Sequence, residues 1–281
     1  MAFDISRFRI QCTVHPARDH QLGESRPVTV RSTIDLTGQV AIVTGGTRGL
    51  GRQMAEVLAR AGARVVVCGR NTPDDLPPGV SFRAADIRDA DQAKELVDAV
   101  AAEHGRIDIL VNNAGGSPHA AAATASPRFF DAIIRLNLHS AMFMAQAAFA
   151  HMRAAGAGSI VNIASVSAIR PSPMTAAYGA AKAGLLSLTQ SLAQEWGPDG
   201  VRVNAIIVGL MHTETAEETY GDEDAQAAVA LSLPLQRMGT GFDVANAVLW
   251  LSSDLASWVS GARINVDGGG ERPYFLDLVK G

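Results

Sequence analysis

The chain has 281 residues, of which 47% are hydrophobic and 19% are charged, and its net charge is −4. That length and apolar content suffice for one large α/β core, and the small charge excludes the basic surface of a nucleic-acid-binding protein. No apolar run reaches the roughly 20 residues of a membrane-spanning helix, so no membrane partner is expected.

Residues 1–36 show no clean hydrophobic period, and we interpret them as an N-terminal extension before a single domain at residues 37–281. The first ten residues lack the apolar core of a secretory signal. Five arginines before Thr33 are compatible with a transit peptide, but Asp4, Asp19 and Glu24 count against one. A cytoplasmic location is therefore expected. Cys68 lies in an apolar run, which indicates a buried thiol rather than a disulfide partner.

From Val40 onward, strand-like and helix-like segments alternate. Strands are predicted at residues 40–44, 64–68, 80–84, 107–111, 159–163, 201–207 and 263–266. Helices are predicted at residues 50–61, 89–104, 129–155 with a break near the start, 175–196, 214–231 and 243–251. Continuous apolar strands indicate a parallel sheet with both faces covered. The predicted fold is a single doubly wound Rossmann-type α/β domain with a seven-stranded parallel sheet flanked by helices.

A glycine-rich turn joins the first predicted strand to the first predicted helix. Residues 44–51 read Thr-Gly-Gly-Thr-Arg-Gly-Leu-Gly, with glycines at Gly45, Gly49 and Gly51. Glycines let the backbone approach a phosphate closely, and a helix N-terminus adds N–H donors and a positive dipole end. The turn predicts a dinucleotide site, and a tight connection without a ligand is the alternative interpretation.

Tyr178 and Lys182 are four residues apart on a predicted helix, so they share one face. A free tyrosine has a pKa of about 10, and a nearby ammonium is expected to lower that pKa by favouring the phenolate. Ser165, thirteen residues earlier, is placed to stabilise a substrate oxygen, and the spacing favours it over Ser167. The set predicts Tyr178 as general acid and base, whereas a tyrosine–lysine pair alone is commonly a surface pair.

Together these motifs resemble a known family. The features are the turn at residues 44–51, Asn112-Asn113-Ala114-Gly115, Asn137, Ser165 and Tyr178-Gly-Ala-Ala-Lys182. In order and spacing they resemble a classical short-chain dehydrogenase/reductase over about residues 36–270. The resemblance implies hydride transfer between a nicotinamide coenzyme and a ketone or secondary alcohol. It also implies that Lys182 binds the nicotinamide ribose and that Asn137 holds a water linking this lysine to solvent.

The resemblance also places the coenzyme. Asp86 resembles the residue that contacts adenine, and residues 113–115 would line the adenine ribose. The family's usual Pro-Gly after the sixth strand is Val208-Gly209 here, which frees φ and adds a backbone donor, whereas Thr213 matches the carboxamide-binding threonine. The predicted coenzyme-binding residues are Gly45, Thr47, Arg48, Gly49, Leu50, Arg70, Asp86, Ile87, Asn113, Ala114, Gly115, Tyr178, Lys182, Val208, Gly209 and Thr213.

Charge at the end of the second strand favours NADP(H) over NAD(H). An NAD-preferring site of this family usually has an acidic residue there, but this chain has Gly69 followed by Arg70. Arg48 lies in the glycine turn, and guanidinium groups suit a 2′-phosphate. In the alternative interpretation both arginines are solvated surface charges.

Residues after strands four, five and six are expected to form the substrate pocket. Ile169, Met174 and Met211 make this lining mostly apolar, which predicts a bulky apolar substrate such as a hydroxysteroid, a 3-oxoacyl thioester or a polyketide-like ketone. Arg170 or His212 could instead meet an anionic group. No metal-binding motif involves His212 or the other histidines near the site.

Two other functions stay open at this stage. One is a catalytically silent NADP-binding regulatory or structural subunit, and the other is a methyltransferase or epimerase on a similar fold. The intact Ser165, Tyr178 and Lys182 argue against the first, and the lack of an acidic residue after strand two argues against a methyltransferase. The family resemblance further implies a homo-oligomer, either a dimer or a homotetramer.

Overall fold

A computed structural model describes residues 33–273. Its core is one seven-stranded sheet in which every neighbouring pair is parallel, in the order β3-β2-β1-β4-β5-β6-β7. The strands are β1 (Val40–Thr44), β2 (Arg64–Gly69), β3 (Val80–Ala84), β4 (Ile109–Asn112), β5 (Gly158–Ser165), β6 (Val201–Val208) and β7 (Arg263–Val266). The predicted doubly wound fold is confirmed.

The strand order reverses direction between β1 and β4. The chain proceeds from β1 to β2 and β3 on one side, and then crosses to β4 on the other side of β1. In such sheets, the loops at the carboxyl ends of these two strands separate and leave a crevice for ligands. This edge carries the glycine turn after β1 and the Asn-Asn-Ala-Gly segment after β4.

Helices cover both faces of the sheet, because alternate residues of each strand point to opposite faces. Helices α2, α4 and α5 pack on one face, and α1 and α8 pack on the other. The helices are α1 (Gly49–Arg60), α2 (Ala90–His104), α3 (Pro127–Ile134), α4 (Ser140–Ala155), α5 (Ala176–Trp196), α6 (Ala216–Tyr220), α7 (Glu223–Ser232) and α8 (Gly241–Ser252).

Three predicted segments differ from the structure in instructive ways. The fourth strand begins two residues later than predicted, because the Asp108 carboxylate accepts the Val40 N–H and replaces a ladder bond. The long helix at residues 129–155 is divided by a π-helical turn, Arg135–His139. The single helix predicted at residues 214–231 was wrong: Gly221 adopts φ of 89° and Asp222 caps a new helix, α7.

Most of the predicted N-terminal extension lies outside the described residues. Leu36, at its end, is fully buried in the core and donates its N–H to the Ala61 carbonyl over 2.7 Å. Within residues 33–273, no helix combines the length and hydropathy needed to cross a membrane. Cys68 is a free, buried thiol, and burial raises its pKa to about 12.

Candidate active site

The glycine turn folds tightly because its glycines fit where a side chain would collide. Gly45 adopts φ of 62°, in the left-handed region. A Cβ on Gly51 would lie 2.3 Å from the Gly45 carbonyl oxygen, so the first turn of α1 packs directly on the end of β1. Helix α1 begins at Gly49, and the side chain of its N-cap residue Arg48 forms no capping hydrogen bond. This cradle of backbone donors suits a phosphate group.

Thr44 and Asn113 tie the glycine turn to the end of β4. The Thr44 hydroxyl accepts the N–H groups of Asn113 and Ala114, each over 3.0 Å. The Asn113 amide donates to the Thr44 carbonyl over 2.9 Å and to the Gly45 carbonyl over 3.2 Å. These bonds fix the two walls of the crevice relative to each other.

The predicted adenine end carries a cluster of charges. Arg88 binds the Asp86 carboxylate through its Nε at 2.8 Å and through a second guanidinium nitrogen. This hydrogen bond is the main cause that lowers the pKa of Asp86, and Arg70 adds to the effect. Ile87 is buried in the core, which leaves only its backbone free for a ligand.

Arg48 and Arg70 are both exposed. Within residues 33–273, neither side chain has a hydrogen-bond or ion-pair partner. Gly69 is the last residue of β2, and a Cβ on it would lie 3.8 Å from the Thr47 side chain, an ordinary contact distance. The ends of β1 and β2 therefore present two unpaired cations and no carboxylate at residue 69.

Ser165, Tyr178 and Lys182 come together at the carboxyl end of β5. Ser165 ends the strand, and its hydroxyl accepts the Ser167 N–H over 3.2 Å and lies close enough to the Tyr178 phenol to lower its pKa. The Lys182 Nζ lies 5.6 Å from the centre of the Tyr178 ring. Ser167 faces a different partner, because its hydroxyl accepts a hydrogen bond from Ser172 over 3.0 Å. The geometry thus groups Ser165, and not Ser167, with the tyrosine.

Burial controls the acid–base chemistry of this group. It raises the pKa of Tyr178, and the neighbouring Ser165 hydroxyl offsets only part of that effect. Burial also lowers the pKa of Lys182 from 10.5 to about 8. The expectation that the lysine would lower the tyrosine pKa is therefore wrong for the protein groups alone, because desolvation of the phenolate dominates.

Asn137 lies in the π-helical turn and joins the same group. Its amide nitrogen donates to the carbonyls of Ile133 and Gly116, each over 2.9 Å, and its oxygen accepts the Gly116 N–H over 2.9 Å. A Cβ on Gly115 would lie 2.6 Å from the Asn137 oxygen and 3.1 Å from the Lys182 Nζ. The absence of a side chain at Gly115 therefore allows the Asn137 side chain and the Lys182 ammonium group to lie on either side of this residue.

The end of β6 and the residues after it pack closely and border a cavity. Val208 is buried, and a Cβ on Gly209 would lie 2.5 Å from the Asp267 Cα, so glycine is required at that position. A cavity of about 280 Å³ opens beside this segment. Its lining residues are Gly49, Leu50, Gln53, His212, Thr213, Glu214 and Gly241.

Comparison with known proteins identifies the family. Residues 45–271 match a family model described as enoyl-(acyl carrier protein) reductase. The chain is 36% identical to the 2-dehydro-3-deoxy-D-gluconate 5-dehydrogenase of Escherichia coli over 85% of its own length and 98% of that protein. It is 37% identical to the 7alpha-hydroxysteroid dehydrogenase of Clostridium sardiniense over 83% of its own length and 94% of that protein.

The chain is a classical short-chain dehydrogenase/reductase. The solved structure of a Thermoplasma acidophilum aldohexose dehydrogenase superposes with a TM-score of 0.80 at 31% identity, and covers 84% of this chain and 95% of that one. As a short-chain dehydrogenase/reductase, the protein is an NAD(P)-dependent oxidoreductase that acts on CH–OH groups of small molecules.

Three residues of this short-chain dehydrogenase/reductase make contacts to which no sequence motif had assigned a role. Thr44 organises the crevice, and its only sequence signal is a polar residue at a strand end. Tyr220, a lone aromatic on the polar α6, lies close enough to raise the Tyr178 pKa slightly. The Glu214 carboxylate accepts the Gly49 N–H over 3.4 Å, a contact between residues too distant in sequence for any local pattern to predict.

Proposed function

We propose that this short-chain dehydrogenase/reductase interconverts a ketone and a secondary alcohol with NADP(H), and that Tyr178 is its general acid and base. The observation that carries the proposal is the grouping of Ser165, Tyr178 and Lys182 at the carboxyl end of β5. A binding-only protein would have no use for a buried lysine at the side of a tyrosine ring.

The coenzyme crevice fits a dinucleotide. The backbone donors at the start of α1 have no local cap, and the Gln53 amide oxygen lines the adjoining cavity without a hydrogen-bond partner in the described part of the chain. Bound NADPH would supply the hydride that reduces the substrate carbonyl carbon. Residues 44–51, 113–115 and 208–213 would hold it, with Lys182 on the ribose.

In ketone reduction the protein supplies the proton. The Ser165 hydroxyl would donate a hydrogen bond to the substrate oxygen and stabilise the negative charge that develops on it. The Tyr178 phenol is protonated near neutral pH, since burial raises its pKa further above the usual value of about 10, and it would transfer its proton to that oxygen. The Lys182 ammonium would then stabilise the phenolate, and Asn137 would keep the lysine in contact with a water.

Two unpaired arginines support the preference for NADP(H). Arg48 and Arg70 lie at the ends of β1 and β2, where the adenine ribose is expected. A 2′-phosphate would accept charge-assisted hydrogen bonds from both side chains. No carboxylate at residue 69 competes for the ribose hydroxyls.

For the substrate we propose a bulky apolar ketone or alcohol. Ile169 and Met174, after β5, are 54% and 48% exposed beside the catalytic group. A second class, hydroxylated acids, is favoured by the name of the Escherichia coli relative. An acid substrate that binds Arg170 would have to displace the Glu271 carboxylate from its ion pair with this arginine. The steroid enzyme from Clostridium sardiniense supports the first class.

We also propose a cytoplasmic homotetramer or dimer. Three alanines at helical spacing, Ala176, Ala180 and Ala183, are exposed on α5 and allow close helix approach. Light scattering on the purified protein would establish its mass.

The test of the proposed function follows NADPH oxidation over a panel of steroid ketones, oxoacyl thioesters, cyclic ketones and oxo acids. We expect turnover of one class that Tyr178→Phe abolishes while NADPH binding persists. Equal turnover by Tyr178→Phe would refute the assignment of the general acid. Turnover limited to oxo acids would favour the second substrate class.

A further inference from the structure

The N-cap residue of helix α1 does not cap the helix with its side chain. Helices α2, α3 and α7 are capped locally, by the side chains of Asp89, Ser126 and Asp222. Helix α1 has no such cap from its N-cap residue and no acidic residue in its first turn. Its N–H donors therefore depend on a partner from elsewhere.

That partner is a carboxylate from the other side of the crevice. Glu214 follows β6, and its Oε1 accepts the Gly49 N–H over 3.4 Å. Both residues line the cavity of about 280 Å³ at this end of the helix. A negative charge at a helix N-terminus is stabilised by the helix dipole, as the charge of a phosphate would be.

We infer that Glu214 sets the affinity of the protein for its dinucleotide by holding the backbone donors that the coenzyme phosphates need. This inference rests on the proposed coenzyme site and adds a residue to it. Two anions cannot share the Gly49 N–H, so the carboxylate must leave when a phosphate arrives. Glu214 lies two residues before the start of α6.

Removal of the charge should therefore have opposite effects on the free and the bound protein. Glu214→Gln weakens the interaction with the helix dipole, so the free variant should unfold at a slightly lower temperature. It also weakens the competing acceptor and removes its charge repulsion of the phosphates, so NADPH should bind about fivefold more tightly.

The experiment titrates the full-length protein and two variants with NADPH, and follows binding by calorimetry. The matched control is Glu218→Gln, which removes the same charge from an exposed side chain of α6 that has no partner in residues 33–273. Adenosine 2′-monophosphate is a second ligand, because it carries no phosphate for the start of α1. We expect tighter NADPH binding only for Glu214→Gln, and unchanged binding of adenosine 2′-monophosphate.

Three results would overturn the inference. Unchanged or weaker NADPH binding by Glu214→Gln, with normal binding by the wild type, would refute the role of Glu214 alone. An equal gain from Glu218→Gln would assign the effect to overall charge. Failure of the wild type to bind either NADPH or NADH would refute the proposed coenzyme site and this inference with it.

Discussion

The ammonium nitrogen of Lys182 lies 5.6 Å from the centre of the Tyr178 ring, and it donates a hydrogen bond over 2.7 Å to the Ile163 carbonyl. The lysine is only 3% exposed, so its charge is costly to bury, and that cost lowers its pKa to about 8. The lysine is held charged near the tyrosine at the expense of stability, which is typical of a functional site.

The first prediction concerns stability against pH. Between its folded pKa of about 8 and its unfolded pKa of 10.5, Lys182 binds more protons in the unfolded chain than in the folded one. The free energy of unfolding therefore rises with pH in this window, by at most about 1.4 kcal/mol per pH unit from this group. Below pH 8 the lysine is charged in both states and the slope disappears.

Lys182→Met isolates this term. The free energy of unfolding can be measured for both proteins by equilibrium unfolding in urea. The value for the wild type minus the value for the variant should increase from pH 8 to pH 10. The raised pKa of Cys68 acts in the same alkaline range, but it is common to both proteins and cancels in the difference. A difference that stays constant with pH would contradict the buried charged lysine.

The second prediction separates two neighbouring serines. The Ser165 hydroxyl lowers the pKa of the neighbouring Tyr178 phenol, whereas the Ser167 hydroxyl accepts a hydrogen bond from Ser172. Loss of one donor to a developing oxyanion costs about 10²–10³ in kcat, so Ser165→Ala should lose at least about a hundredfold. Ser167→Ala should keep kcat within a few-fold. Steady-state rates at saturating NADPH measure both, and similar losses in the two variants would argue against Ser165 as the substrate-oxygen donor.

Much of this site follows from local sequence patterns. Strand and helix periods, the glycine spacing and the four-residue interval between Tyr178 and Lys182 predicted both the sheet and the grouping with Ser165. These features depend on short-range geometry, and parallel strands bring their carboxyl ends to one edge.

Features that depend on burial or on distant partners were not predictable. The raised pKa of Tyr178 comes from desolvation, which only the packed structure determines. Pairing of Asp86 with Arg88, and of Glu214 with α1, depends on side-chain directions that no period encodes. Division of the helix at Gly221 was missed because a single glycine is also tolerated inside helices.

The third prediction tests the coenzyme preference. Charge-assisted hydrogen bonds contribute about 1.5–3 kcal/mol, so Arg70→Ala or Arg48→Ala should weaken NADPH binding at least about tenfold. NADH lacks the 2′-phosphate, and its affinity should change less than about twofold. The matched control is Arg52→Ala, since the Arg52 guanidinium is already bound to Asp75. Equal losses for NADPH and NADH would mean that the arginines do not read the 2′-phosphate.

The last prediction concerns the packing of the glycine turn. An alanine at Gly51 would place its Cβ 2.3 Å from the Gly45 carbonyl oxygen and 2.5 Å from the Asn113 amide nitrogen. The turn must shift to relieve this overlap, so Gly51→Ala should lose about 1–3 kcal/mol of stability. The same shift moves α1 away from β1 and breaks the hydrogen bonds that the Asn113 side-chain amide donates to the glycine turn. NADPH binding should therefore fall as well.

Gly197→Ala is the matched control for this substitution. A Cβ there meets no atom within 4 Å, and its φ of −53° suits any residue. The control should therefore be neutral or gain about 0.4–1 kcal/mol through the lower entropy of the unfolded chain. Thermal unfolding with and without NADPH measures both effects. If Gly51→Ala were as stable as Gly197→Ala and kept its NADPH affinity, the close packing of the turn would not be what shapes the phosphate cradle.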